Sequence, residues 1–257
     1  MVYTANCIAS RTERVLDKQK ARLAMWLPLL VTIVGLTISV LAERRVEEQN
    51  LDSAQIRFEQ ATAGVVEKLN ERFKRYEMGL NSVRSLVLRN PEQIERADFI
   101  AALQQGRLIE DFPGALGIGL IRHIQPAEQD AFLLWAKRHV SPDYRIHQID
   151  AHDGAQFPII LIEPLAANLP ALGFDVASET LRRHAALAAV ATGKTTLTGP
   201  VHLVQEKSRL GFMLMAPIYL LNQPHATPQQ RQDALWGWAY TPLVMDRLMA
   251  DIFDSGQ

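Results

Sequence analysis

The stretches LGFMLMAPIYL (210–220) and LWGWAYT (235–241) decide the fold class that the sequence predicts. We interpret both apolar runs as β-strands. Two shorter strands precede them, at Thr195–Leu197 and Val201–Val204, and the gaps of three and five residues that follow these two strands have the length of hairpins. Neighbouring strands that are joined by hairpins run antiparallel, so we expect a largely antiparallel sheet.

Helices alternate with strands in the preceding part of the chain. A strand is predicted at ALGIGLIRHI (115–124) and a buried strand at FPIILIE (157–163), and the segment Tyr144–Ile149 alternates in polarity. Helices are predicted at Ile94–Gln105, Pro126–His139, Ser178–Ala191 and Leu243–Phe253. We expect Ser178 to be an N-cap, Gly193 to end its helix and Pro242 to begin the last one. This order of elements predicts an α+β domain.

A long helix, which we call the stalk, is predicted for residues 43–90. It contains no proline, and Pro91 ends the pattern. Its apolar residues form a stripe with gaps of three and four, which is the period of a straight helix. The stripe consists of Leu51, Ala54, Phe58, Ala61, Val65, Leu69, Phe73, Tyr76, Leu80, Val83 and Val87. The stripe can pack on its own domain or pair with a second copy of the chain. We expect both, with a homodimer formed through the N-terminal half of the stalk, which is the membrane-proximal half if the segment before it spans a membrane.

An uncharged run, LAMWLPLLVTIVGLTISVLA (23–42), precedes the stalk. As a helix it spans ~30 Å, the thickness of the hydrocarbon core of a bilayer. Pro28 lies near its start, where a missing N–H costs least. A cleaved signal peptide is the main rival interpretation, but its apolar part is normally shorter and ends at a small-residue cleavage site. We therefore predict an uncleaved transmembrane helix.

The charges around this run predict the orientation of the chain. Residues 1–22 carry Arg11, Arg14, Lys18, Lys20 and Arg22, whereas the two arginines after the run are diluted by acidic residues. Positive charge favours the cytoplasmic side. We expect 1–22 to be a cytoplasmic tail and the rest to lie outside the bacterial inner membrane, in the periplasm.

Composition excludes several classes of function. The formal net charge is −1, so no basic field indicates nucleic-acid binding. The single cysteine, Cys7, lies before the predicted membrane helix, which excludes disulfides and Cys-ligated metals from the exported part. No cofactor is expected.

Five blocks in order carry a resemblance to a known family. They are FPGALGIGLIRHI (112–124), FPIILIEPLAANLPALGFDVAS (157–178), ATGKTTLTGPVHLVQ (191–205), LGFMLMAPIY (210–219) and GWAYTPL (237–243). The chain resembles the CHASE domain, the extracellular sensory module of bacterial histidine kinases and nucleotide cyclases, over about residues 80–253. The resemblance implies a stalk helix followed by two PAS-like subdomains, of which the second can be incomplete here. It also implies a small ligand in the membrane-distal subdomain.

The chain also departs from that family. A CHASE module normally returns to the membrane and continues into a cytoplasmic output domain, but this sequence stops at Gln257. We expect residues 91–253 to be the sensor domain, 254–257 to be a loop cut open, and the chain to be a fragment. The missing output domain would be a histidine kinase or a diguanylate cyclase.

The resemblance also implies a ligand site at Arg182, Thr198, Val204 and Met215. Plant cytokinin-binding relatives carry an acid at the position that aligns with Arg182, so the basic residue here predicts an anionic ligand, bound by the two-pronged guanidinium fork. The competing interpretation of Arg182 is a solvated helix face. Thr198 aligns with a pocket threonine, Val204 with a residue that offers main-chain polar groups, and Met215 with a pocket wall.

Other chemical motifs are weak. Gly193-Lys194-Thr195 resembles the end of a P-loop, but the glycine required five positions earlier is Ala188 and the order of strand and helix is reversed. His147 and His152 lie near Asp150 and Asp153, which favours a solvated loop over a metal cluster. There is no G-x-S-x-G elbow, so catalysis in this chain has no visible constellation.

The function predicted from the sequence is a non-catalytic periplasmic sensor of a small ligand. Ligand binding would shift the stalk and the membrane helix relative to a partner copy. Two other classes stay open. One is a membrane-anchored scaffold or interaction module without a ligand, and the other is an extracytoplasmic hydrolase.

Overall fold

The computed structural model describes residues 3–91, 93–106, 112–206 and 209–250. In its first helix the side chains of 3–25, 27, 29, 46–57 and 61 lie outside the description. The predicted cut end at 254–257 and the predicted end of the last helix also lie outside the described residues. The chain divides into two compact units, Met1–Gly64 and Val65–Gln257.

The first unit is helical. Helix α1 spans Tyr3–Arg89. The long helix is confirmed, and its division into a membrane helix at 23–42 and a stalk at 43–90 stays a prediction. Pro28 lies inside α1 and not near a helix start as expected, since the helix already begins at Tyr3. The apolar side chains that the structure describes between Trp26 and Leu41 are exposed. Among the described residues, no helix is both long enough and apolar enough to cross a membrane.

The second unit begins with the C-terminal part of α1, which packs on the rest of the domain. Tyr76, Leu80, Val83 and Val87 are buried in one core cluster together with side chains from the sheet. Their spacing of three and four places them on one helix face. This part of the predicted stripe therefore serves the fold of its own domain.

In the part of the chain that the structure describes, the sheet consists of six strands, and every pairing between them is antiparallel. The strands are β1 (Ile118–Arg122), β2 (Ile159–Glu163), β3 (Thr196–Leu197), β4 (Val201–His202), β5 (Leu210–Tyr219) and β6 (Leu235–Val244). Their order is β2-β1-β6-β5-β3, and β4 also pairs with β5. The predicted α+β class with an antiparallel sheet is confirmed. The described strands all belong to this one sheet, and the division into two PAS-like subdomains stays a prediction.

The two strands that decide the fold class, β5 and β6, form the longest pairing of the sheet. The sequence predicts that this strand ends at Thr241 and that a helix begins at Pro242. This prediction is wrong. Pro242 lies within β6 opposite Met213, and the last described helix, α7, spans Met245–Met249. Proline lacks a backbone N–H, but its carbonyl takes part in the pairing, since it accepts a hydrogen bond from the backbone N–H of Leu116 at 2.9 Å.

Helices cover both faces of the sheet. They are α2 (Arg96–Gln105), α3 (Gln129–His139), α4 (Leu165–Asn168), α5 (Thr180–Thr192) and α6 (Pro228–Asp233). Alternate residues of β6 point to opposite faces. Ala239 joins the core cluster that contains the stalk residues, whereas Tyr240 joins a second cluster with the buried alanines of α5.

The boundaries of α5 differ partly from the prediction. Gly193 ends the helix in a left-handed conformation with φ of 73°, as expected. Ser178 is not the N-cap. Glu179 takes that role, because its carboxylate accepts hydrogen bonds from the N–H groups of Leu181 and Arg182. The Ser178 hydroxyl instead donates to the Asp175 carbonyl at 2.6 Å.

Candidate ligand-binding site

Arg182 lies in the first turn of α5, and its side chain is buried, with only 2% of the residue exposed. The interpretation of Arg182 as a solvated helix residue is therefore wrong. The reason is the phase of α5, which turns Arg182 to the same face as the buried Ala185, Ala186 and Ala189. That face packs on the sheet.

The guanidinium of Arg182 is held from three sides. Its Nη2 donates to the carbonyl of His202 at 2.6 Å, and its Nη1 lies 3.6 Å from a carboxylate oxygen of Glu179. Its carbon Cζ lies 5.1 Å from the centre of the Phe174 ring, a cation–π contact. Burial lowers the pKa of Arg182, and Glu179 opposes this shift. The group remains charged because an arginine pKa starts far above neutrality.

One nitrogen of this guanidinium lacks a partner. Nε of Arg182 is buried and makes no hydrogen bond with the residues that the structure describes. The two-pronged fork to a ligand stays a prediction; in this conformation Nη2 donates to His202 and Nη1 lies near Glu179. The nitrogen of Arg182 that lacks a partner and can serve a ligand is Nε, which also carries part of the guanidinium charge.

Tyr240 supplies a second buried polar atom at the same place. The residue lies on β6 and is completely buried, and its hydroxyl has no hydrogen-bond partner among the described residues. Burial raises the pKa of Tyr240 well above its ordinary value, so the phenol is protonated and can donate. Buried polar groups without partners are rare in proteins, and a pair of them in one place requires an explanation.

Arg182 and Tyr240 line the same enclosed cavity, which we call the inner cavity. Its volume is about 10 Å³, room for roughly one water molecule. The rest of its wall comes from Ile159, Phe174, Leu203, Val204, Gln205, Met213 and Pro242. The cavity is therefore apolar except for a few polar groups, which include the two unpartnered donors.

A larger cavity of about 620 Å³, the outer cavity, lies beside the inner one. It is lined by His147, Gln148, Ile149, Pro170, Phe174, His202 and Val204. Phe174 and Val204 belong to both linings, so the two cavities share part of their wall. The volume of the outer cavity falls in the range of small-ligand sites.

The structure brings together two of the four predicted site residues. Arg182 and Val204 line the inner cavity, but Thr198 and Met215 line neither the inner nor the outer cavity. Thr198 and β5 are joined by two hydrogen bonds: its hydroxyl accepts from the Met213 N–H at 2.9 Å, and its own N–H donates to the Met213 carbonyl. Met215 is fully buried on β5, opposite Tyr240.

Sequence reasoning missed Tyr240, Phe174 and His202. All three lie in the quoted blocks, in GWAYTPL (237–243), at the end of 157–178 and in 191–205. The blocks therefore marked the correct segments. They did not show which side chains of each segment face the cavity.

The histidine-rich loop is also more ordered than expected. His152 was predicted to be solvated, but its Nε2 lies 2.8 Å from Oδ2 of the fully buried Asp175. Asp175 also accepts hydrogen bonds from the side chain of Gln148 and from the N–H of Phe157. Among the described residues, no group of three or more His, Cys, Asp or Glu side chains could hold a metal ion.

A family model described as the CHASE domain matches residues 92–257, more than half of the chain. The chain belongs to the CHASE domain family. CHASE domains are extracellular sensory modules of signalling proteins that reside in membranes. The matched region of this CHASE domain contains both cavities and all four predicted site residues. Comparison with curated proteins gives no match.

Proposed function

We propose that this CHASE domain binds a small anionic ligand at Arg182 and Tyr240, as the periplasmic sensor of a transmembrane signalling protein. The observation that carries the proposal is the pair of buried donors, Nε of Arg182 and the hydroxyl of Tyr240, that share one cavity without a partner among the described residues. A carboxylate oxygen of a ligand would satisfy both donors. Charge-assisted hydrogen bonds of this kind are stronger than neutral ones.

The ligand would use both cavities. The inner cavity has room for one small polar group, such as a carboxylate oxygen, and the outer cavity has room for the body of the molecule. Entry requires Phe174 and Val204 to move apart, because they border both spaces. Phe174 stacks on the guanidinium of Arg182, so its displacement would expose that charge to the ligand.

The sheet connects this site to the stalk. In β6, Tyr240 faces the inner cavity while its neighbour Ala239 packs in the core cluster with Tyr76, Leu80 and Val83 of α1. A ligand that shifts Tyr240 would therefore shift β6 against the stalk. In the proposed mechanism the ligand favours one of two packings of α1, and a homodimer formed along the exposed part of the stripe passes this change on.

Membrane anchoring and orientation belong to the same proposal. The support is the uncharged run at 23–42, the cluster of basic residues in 1–22, and the occurrence of CHASE domains in membrane proteins. We propose that 1–22 is cytoplasmic and that the domain after the stalk is periplasmic. The output of the proposed signalling protein would be a histidine kinase or a diguanylate cyclase.

One observation favours the second candidate, a membrane-anchored scaffold without a ligand. The inner cavity is nearly filled, and in a scaffold it would hold a single structural water between Arg182 and Tyr240. The two candidates differ in their response to small carboxylates. A sensor is stabilised by its ligand, because the ligand binds the folded state only. A scaffold is not.

A thermal-shift screen of the full 257-residue chain in detergent tests the proposal. The screen compares small mono- and dicarboxylates with neutral purines of similar size. We expect at least one carboxylate to raise the melting temperature in a saturable way, and the purines to have no effect. Stabilisation by purines alone would contradict the anionic ligand, and no stabilisation by any compound would favour the scaffold.

A further inference from the structure

The charges around the inner and the outer cavity restrict the kind of ligand that fits the proposed site. Among the described residues that line either cavity, Arg182 is the only lysine, arginine, aspartate or glutamate. Glu179 lies outside both linings, but one of its carboxylate oxygens is 3.6 Å from Nη1 of Arg182. Part of the positive charge at the site is therefore already balanced within the protein. A ligand with a single negative charge matches what remains.

A buried carboxylate lies behind the wall of the outer cavity. Gln148 lines this cavity, and its side-chain amide donates to Oδ2 of Asp175 at 2.8 Å. Asp175 is fully buried, and it directly follows Phe174, which lines both cavities. The Gln148 amide thus serves a carboxylate of the protein itself. A second carboxylate of a ligand in the outer cavity would lie near Asp175 and would be disfavoured by like charge.

The remaining part of the outer wall is apolar. Ile149, Pro170, Phe174 and Val204 supply side chains without hydrogen-bonding groups. Such a wall stabilises the hydrocarbon part of a ligand and leaves a buried charge without a partner. Building on the proposed function, we infer that the site binds an apolar monocarboxylate. Arg182 and Tyr240 hold its carboxylate, its hydrocarbon or aromatic body occupies the outer cavity, and a dicarboxylate of equal length is rejected.

Three probes of matched structure test this specificity: butyrate, hexanoate and adipate. Hexanoate is two methylenes longer than butyrate, and adipate has the carbon chain of hexanoate with a second carboxylate at its far end. The full chain in detergent is titrated calorimetrically at pH 8, above the ordinary pKa of histidine, with detergent alone as the blank. A buried methylene strengthens binding roughly fourfold, so hexanoate should bind about tenfold more tightly than butyrate. Adipate should bind at least about tenfold more weakly than hexanoate.

Ile149→Lys is expected to change this preference. Ile149 lines the outer cavity with an exposed side chain, and its backbone N–H donates to the Ser178 hydroxyl, a bond that the substitution keeps. The new ammonium would pair with the second carboxylate of adipate, so adipate should gain roughly tenfold in affinity relative to hexanoate. Leu169→Lys is the matched control. It adds the same charge at an exposed leucine outside both linings and should leave the preference unchanged.

Specificity for a monocarboxylate is overturned if adipate binds the wild type as tightly as hexanoate does, or if butyrate binds as tightly as hexanoate. It is also overturned if Ile149→Lys and Leu169→Lys change the preference equally. Each of these results leaves the anionic site at Arg182 and Tyr240 in place. Failure of all three probes to bind would overturn the monocarboxylate as well, and the thermal-shift screen would then decide separately whether the site binds any carboxylate.

Discussion

Arg182 and Tyr240 each bury a donor that finds no partner among the described residues, and both residues line the same small cavity. Leaving a buried polar group unsatisfied costs about 1–3 kcal/mol. A ligand oxygen or a water in the inner cavity would offset this cost for both residues. Two such atoms in one cavity are therefore a stronger indication of a binding site than any single residue of the family blocks.

The role of Thr198 can be tested directly. The family resemblance implies that Thr198 contacts the ligand, whereas in the structure its hydroxyl accepts a hydrogen bond from Met213 of β5. We expect Thr198→Val to lower the free energy of unfolding by about 1–2 kcal/mol, since the Met213 N–H loses its hydroxyl acceptor. Ligand affinity should not change. Chemical denaturation and titration with the carboxylate from the screen measure the two quantities.

Thr196→Val is the matched control for this experiment. Thr196 lies two residues away on β3, and its hydroxyl contacts only an exposed carbonyl at 3.3 Å. Its substitution should change stability by less than about 0.5 kcal/mol. If Thr198→Val lowers ligand affinity and leaves stability intact, Thr198 belongs to the pocket after all.

The burial of Arg182 was not predictable from hydropathy alone. Hydropathy favours a buried Leu181 and an exposed Arg182. In the structure Arg182 is buried and its neighbour Leu181 is 44% exposed. The spacing of the alanines in α5 does indicate that Arg182 is buried. Ala185, Ala186 and Ala189 follow Arg182 at intervals of three, four and seven residues, which places all four residues on one face of the helix. Small residues carry little hydropathy signal, which is why the phase went unrecognised.

At the scale of elements, α1 changes its environment along its length. Its later stripe residues, from Tyr76 to Val87, are buried under the domain, whereas Phe58 is 71% exposed. An exposed aromatic side chain on a regular apolar stripe is available for a second copy of the helix. This contrast supports the proposed homodimer along the earlier part of the stripe.

Val65→Asp tests that pairing. Val65 lies on the stripe, and a carboxylate there would enter the apolar seam of the dimer, so we expect dimerisation to weaken at least about tenfold. Sedimentation velocity of the full chain in detergent measures the association. Val66→Asp is the control, since Val66 lies off the stripe and is 53% exposed, and it should leave the association unchanged. Equal association of all three proteins would mean that the stripe serves only the domain's own fold.

The elements themselves were largely predictable, and their ends were less so. The strands β5 and β6 lie where the apolar runs placed them, and α5 ends at Gly193 as expected. The error at Pro242 has a physical cause. Proline is favoured in the first turn of a helix, but the bond from Leu116 to its carbonyl comes from a residue more than a hundred positions earlier. The residues around Pro242 in the sequence therefore could not predict this hydrogen bond.

At the scale of the whole molecule, membrane topology is the proposal with the largest consequence. A fusion of alkaline phosphatase after Gln257 should be active in an intact bacterium, because the basic residues of 1–22 favour a cytoplasmic N-terminus. A cytoplasmic reporter fused at the same position should be inactive. The opposite pair of results would contradict the periplasmic location of the sensor domain.

The wall of the inner cavity is assembled from parts of the chain that are far apart in sequence, so a single sequence predicts it only in part. Its wall combines Ile159, Phe174, Arg182, Val204 and Tyr240, which come from five separate segments of the chain. The family blocks contain four of these residues but not Arg182, which lies between two blocks, and the apolar runs identify the strands among the segments. Which side chains meet depends on the register between strands and on the phase of α5, and both are set by packing between distant parts of the chain.

The most direct test of the central claim is the affinity of Tyr240→Phe for the carboxylate that stabilises the wild type. The substitution removes one unpartnered hydroxyl, so the melting temperature should not fall, while the dissociation constant should rise roughly tenfold or more. Tyr219→Phe is the matched control. Its hydroxyl donates to the Val190 carbonyl at 3.1 Å, so it should lose stability and keep its affinity. If Tyr240→Phe binds the carboxylate as tightly as the wild type does, the cavity at Arg182 and Tyr240 is not the ligand site.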